Sequence, residues 1–155
     1  MIMAEKKFQL AYLFVLFILF FGLTGFHSNS PANRLLGVWE SEEKNLHIEM
    51  FEEGDHFAGR MVWFLCTAEQ SMMCTYLDTE NPDPKLTKRP LIGMKVVERI
   101  SYQGGDVWGS GKIYDPNTGR TYDARIHLIA PNKVIVRGYW KFRCFGKSIV
   151  FNRMM

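Results

Sequence analysis

Asp78, Glu80 and Asp83 place three carboxylates within six residues, and Arg89 follows six positions later. Oxygen ligands packed this closely can suit Ca²⁺, but Pro82 interrupts the group, and aspartates beside prolines more commonly close turns by bonding their own backbone. A second chemistry is a charge-assisted network. The guanidinium fork of Arg89 matches a carboxylate in two hydrogen bonds, and with Asn81 and Asp83 it would pin this stretch across one end of a fold. A third is hydrolysis, with Asp78 or Asp83 set against a tyrosine or arginine, which requires two titratable groups facing each other in a cleft.

Other reactive side chains are sparse. His27, His47, His56 and His127 are scattered, and no G-x-S-x-G setting marks a serine nucleophile, so no catalytic residue is assigned. The three cysteines, Cys66, Cys74 and Cys144, lack metal-ligand spacing, and neither a metal nor a cofactor is expected. A Cys66–Cys74 bridge would close a small ring; the other pairings, and three free thiols acting as small buried hydrophobes, stay open. Trp63, Trp108, Tyr114, Tyr122 and Tyr139 supply apolar bodies with polar tips, which suit a pocket wall and suit a barrel core equally well. With Asn81, Asp83, Arg89 and Arg137 they form the candidate ligand-binding set.

These residues must be positioned by strands. Residues 66–90 refuse to be one, and at about 25 residues this stretch exceeds the length at which connections without their own structure become uncommon. Pro82, Pro84 and Pro90 stiffen it. On either side the period is two: Leu46, Ile48 and Met50 alternate with His47 and Glu49, and Phe57, Met61 and Trp63 share a face across the Glu53-Gly54-Asp55 turn. Residues 91–102 read as a strand with Ile92, Met94, Val96, Ile100 and Tyr102 on one side. Strands over 107–114, 120–130, 133–140 and 147–153 follow, separated by Gly104-Gly105, by Asp115-Pro116-Asn117-Thr118-Gly119, by Pro131-Asn132 and by a break near Cys144. Gly109 and Gly111 mark a bend or a close backbone approach. With Gly37–Ser41, and a short helical turn before it that starts at Ser30-Pro31, the count is eight strands joined by short turns. Such a meander removes its edges by closing, so the expected fold is all-β, an eight-stranded antiparallel up-and-down barrel with one long loop.

The chain has 155 residues, 47% of them hydrophobic, enough for one domain with a real core. Lys6 and Lys7 precede an apolar run over residues 10–23, the layout of a secretory signal; residues 1–26 are read as a signal peptide or N-terminal anchor, and 27–155 as the barrel domain. The cleavage site is poorly written, so a membrane contact through an uncleaved segment stays open. The formal charge of +3 becomes +2 once Glu5, Lys6 and Lys7 are removed, too small and too evenly spread for nucleic acid.

Gly37-x-Trp39 after a helical turn resembles the opening signature of lipocalins. That resemblance implies a tryptophan plugging one barrel end, with a basic residue of the last strand over it, here Trp39 and Arg153. A closer resemblance spans nearly the whole chain after the leader. It rests on Gly59-Arg60-Met61-Val62-Trp63, Asp78-x-x-Asn81-Pro82-Asp83-Pro84, Arg89-Pro90-Leu91-x-Gly93, Trp108-x-x-Gly111-x-Ile113-Tyr114-Asp115-Pro116 and Val136-Arg137-Gly138-Tyr139, which look like the family called domain of unknown function 2147. It implies a small exported bacterial protein, periplasmic or extracellular, with a lipocalin-like barrel, and brings no activity to carry over. The chain departs from the family pattern over residues 140–145 and at Phe151.

The expected role is binding a small apolar or amphipathic molecule, or a cell-envelope component, near the mouth bounded by the long loop. The alternatives are a docking module without a pocket and, further off, a hydrolase-like enzyme.

Overall fold

Eight strands close on themselves. The computed structural model describes residues 30–65, 77–141 and 146–155; the leader and all three cysteines, hence the Cys66–Cys74 pairing, lie outside the described residues. A 3₁₀ turn, Pro31–Leu35, leads into β1 (Gly37–Ser41), β2 (Leu46–Glu53), β3 (His56–Phe64), β4 (Lys95–Tyr102), β5 (Val107–Asp115), β6 (Arg120–Ala130), β7 (Lys133–Tyr139) and β8 (Gly146–Arg153). Every strand pairs antiparallel with its sequence neighbours, and β1 closes on β8 through Trp39 opposite Arg153 and Ser41 opposite Phe151. The period of two decides the interior: Trp39, Ile48, Met50, Ile100, Ile126, Val134 and Phe151 are buried from successive strands into one core.

Two expected strand faces are corrected by local backbone geometry. The pairing of β2 with β3 shifts between His47 and Ile48, so His47 faces Trp63 while Ile48 faces Met61. Val62 is the extra residue of a bulge, and everything beyond it changes sides. Phe64 therefore packs against the core, whereas Trp63 lies on His47 with ring centroids 4.4 Å apart. Residues 91–94 are a turn rather than the start of β4: Gly93 takes φ +82, the Met94 amide donates to the Leu91 carbonyl at 3.1 Å, and Ile92 is left exposed. Farther along, Arg99 and Ser110 both have positive φ, and the β4–β5 pairing passes from Glu98–Lys112 to Ser101–Gly109. Gly111 sits at that irregularity, where a β-carbon would overlap the Glu98 carbonyl oxygen, which is the close approach its sequence position suggested.

One end of the barrel is sealed. The 3₁₀ turn lies beneath it, with the Trp39 indole donating to the Leu35 carbonyl at 2.8 Å and the Trp108 indole to the Ala32 carbonyl at 3.1 Å. Arg34 ties the turn to the β4–β5 connection through Asp106 at 2.7 Å and the Gly105 carbonyl at 2.7 Å. Arg153 lies over the Trp39 ring, 4.2 Å from its centroid, and donates to the carbonyls of Leu36, at 2.5 Å, and Arg34. Burial there lowers the guanidinium pKa from its ordinary value.

Candidate functional site

The opposite end carries the long connection. Its described part, residues 77–94, is closed on itself by the Leu77–Pro90 bridge and by the Asp78 amide donating to the Arg89 carbonyl at 3.0 Å. At its centre the Asp78 carboxylate is fully buried. One oxygen accepts from the Tyr114 hydroxyl at 2.5 Å; the other accepts from Asn81 Nδ2 at 2.6 Å and from Arg89 Nε and Nη2 at 3.1 and 2.9 Å. Burial pushes this carboxyl up, but the bonds from Tyr114, Asn81 and Arg89 with the Arg89 charge outweigh it, and its pKa is held below the carboxylate norm. Burial, then the bond to Asp78, pushes the Tyr114 phenol up to about 12.

The pinning network expected from Asn81, Asp83 and Arg89 thus forms with Asp78 as its hub. Asp83 instead accepts from the Lys85 amide at 2.9 Å, and Asn81 Oδ1 accepts from the Asp83 amide at 2.9 Å, so Asp83 shapes a turn. Asp78 is fully buried and accepts four hydrogen bonds from within the loop and β5, so its carboxylate serves as the structural acceptor of this network. Among the described residues no group of three His, Cys, Asp or Glu is placed to hold a metal ion. The signal for Asp78 was the Asp-x-x-Asn spacing together with a tyrosine at a strand end; nothing in one sequence joins residue 78 to residue 114.

The loop also presses on the β5–β6 turn. Gly119 has φ +65, and a β-carbon there would overlap the Glu80 carbonyl oxygen. Gly119→Ala is expected to cost roughly 1–3 kcal/mol in backbone strain and displaced contact. The loss should be local, read as faster hydrogen exchange at the Asp78 amide with β6 and β7 amides unchanged.

A cavity of about 920 Å³ runs down from this end. Its deep lining, including Trp39, Ile48, Met50 and Val134, is at most 7% exposed, so the lower half is packed. The free space lies above, where Leu46, Phe64, Tyr114, Tyr122, Val136 and Ile149 form the wall and only Ile149, at 39%, is appreciably bare. Of the candidate binding set, Tyr114 and Tyr122 line this space. Trp108 is fully buried against Tyr102 near the sealed end, and Trp63 lies on His47. Arg137 donates to Ser148 at 3.0 Å across β7–β8, and it and Tyr139 alternate with the cavity-lining Val136 and Gly138, which sets both on the outer face. Asn81 and Arg89 reach the site through Tyr114: Asn81 Nδ2 lies 3.2 Å from its hydroxyl, and the Arg89 guanidinium 5.7 Å from its ring centroid.

No curated protein matches the chain. Among solved structures, HP1028 from the human pathogen Helicobacter pylori, described as a member of the lipocalin family, is similar with a TM-score of 0.68 and 23% identity, over 78% of this chain and 83% of that one. A redesigned β-barrel is similar with a TM-score of 0.45 and 10% identity, over 79% of this chain and 94% of the other. The likeness to HP1028 concerns the fold, a lipocalin-like barrel. A family described as "Uncharacterized protein conserved in bacteria" matches residues 37–153, from the first strand to the last, and the chain belongs to that family, DUF2147.

Proposed function

We propose that the barrel carries a small apolar or amphipathic molecule, or a component of the cell envelope, in the upper half of its cavity. The observation that supports this is the open upper part of the cavity, with apolar walls and with tyrosines, carboxylates and a lysine at its mouth. That division of polarity suits a small-molecule site. The sealed end leaves the tyrosine-rimmed end as the entrance. The basic residues and apolar run near the N-terminus support an exported location, where envelope lipids or their fragments would be the available cargo.

Ile149→Trp tests the reading. Ile149 is exposed and lines the upper space, so an indole there should occupy it while the fold survives. Protein purified from its own host is expected to retain a bound small molecule in native mass spectrometry, and the variant to retain about ten-fold less. Wild-type protein that arrives empty and binds no amphiphilic dye would favour the docking alternative, which the exposed Leu77, Leu86 and Ile92 of the loop could serve.

A further inference from the structure

We propose that Lys147 holds the anionic head of a single-chain amphiphile whose tail lies in the upper cavity; this rests on the binding role above and names its ligand class. The β8 alternation places Lys147 in phase with Ile149 and with the core residue Phe151, so a charged side chain stands where the strand's apolar face should continue. Opposite it in the ladder is Gly138, where a β-carbon would rest in ordinary contact with Tyr122, 3.6 Å away. Both Gly138 and Lys147 line the cavity.

Among the described lining residues Lys147 is the one basic side chain, and no described carboxylate lies within ion-pair distance of it. Three carboxylates line the same mouth; Glu42 is paired with a cation, while Glu43 and Asp115 are held by neutral donors and keep their charge, so a head group must reach Lys147 itself. Glu42 accepts from Lys133 at 3.0 Å, Glu43 from Asn45 Nδ2 at 2.9 Å, and Asp115 from the Asn117 amide at 3.0 Å and the Thr118 hydroxyl at 2.9 Å. A lysine on a solvated outer face needs no partner. One facing an apolar cavity gains from an anion that arrives with its own tail, because the tail supplies the burial and the head the charge-assisted bond.

The test uses the full chain and three probes with the same tail: laurate, dodecanol and dodecyltrimethylammonium. Wild-type protein should bind laurate about five- to ten-fold more tightly than dodecanol, the effect of one partly exposed charge-assisted bond. Lys147→Ala should erase that margin and leave dodecanol unchanged, and Lys147→Glu should shift preference to the cation. Added salt should weaken laurate alone. Because Lys147 is exposed, the thermal midpoints of all three proteins should coincide, so lost binding is not lost fold. Equal laurate affinity in wild type and Lys147→Ala, or a wild type that prefers the cation, overturns the assignment of the head while leaving the carrier role standing. If no probe binds, the carrier role fails and the ligand class fails with it.

Discussion

Asp78→Ala is expected to lower folding stability by about 2–4 kcal/mol, a large share of what a domain of this size possesses. The substitution removes the acceptor of four hydrogen bonds and leaves Arg89, Asn81 and Tyr114 facing an empty site. Arg89 keeps partial access to water, with 36% of its side chain exposed, and can resolvate, so the cost stays below the full penalty for an orphaned buried charge. Asp78→Asn should fall between, since it keeps the shape but loses the charge, and Tyr114→Phe should cost about 1–2 kcal/mol for the bond it donates to Asp78 and the longer one it accepts from Asn81. Urea titration of the three variants gives the order; an Asp78→Ala midpoint within error of wild type would show that the hub contributes nothing.

The same carboxyl sets an acid limit. Its folded pKa lies below the unfolded one, so it contributes stability that is fully present above the unfolded value of about 3.9 and is lost as pH falls through the folded value. Tyr114 acts with the opposite sign at the alkaline end. Its folded pKa of about 12 exceeds the unfolded value near 10, so its contribution is complete below pH 10 and disappears as pH rises toward 12. Asp78→Asn should remove the acid component of the stability curve, and Tyr114→Phe the alkaline one.

Trp39→Ala should be more damaging, at about 3–5 kcal/mol, which brings the barrel close to unfolding at room temperature. The indole is 2% exposed, donates to Leu35 and carries Arg153 on its face. Its removal opens a hole in the core and withdraws the support of the 3₁₀ turn at once. Trp39→Phe keeps most of the apolar volume and should recover more than half of the loss, whereas Arg153→Ala, which leaves the core filled, should cost only about 1–2 kcal/mol. Thermal melts rank the three, and the proposed seal is wrong if Arg153→Ala matches Trp39→Ala.

Much of this architecture could be read from the chain. Alternation in β2 and the turn chemistry of Asp115 to Gly119 point to strands paired antiparallel, because a half-buried sheet leaves its period in the sequence. What failed were places where one residue breaks that period. A bulge at Val62 cannot be told from continued alternation without the partner strand, so the sequence period puts Trp63 on the face of Phe57 and Met61, whereas it lies on the opposite one. Leu91 and Ile92 are apolar enough for a strand, yet the left-handed Gly93 turns the chain there. Arg89 was recognisable as a pin, but choosing Asp78 over Asp83 required knowing that the end of β5 stands beside the loop. Lys147 could have been noticed by its phase with Phe151, a polar residue on a core-facing period.

Tyr114 has two allegiances, its ring in the cavity wall and its hydroxyl on Asp78 in the strap above. A guest of the proposed kind would share this side chain with the strap, and thermodynamic reciprocity would apply: if fastening the strap tightens the hold on a guest resting against that ring, the guest must fasten the strap by the same factor. Loading would then be legible from outside, as slower opening of the Asp78 clasp.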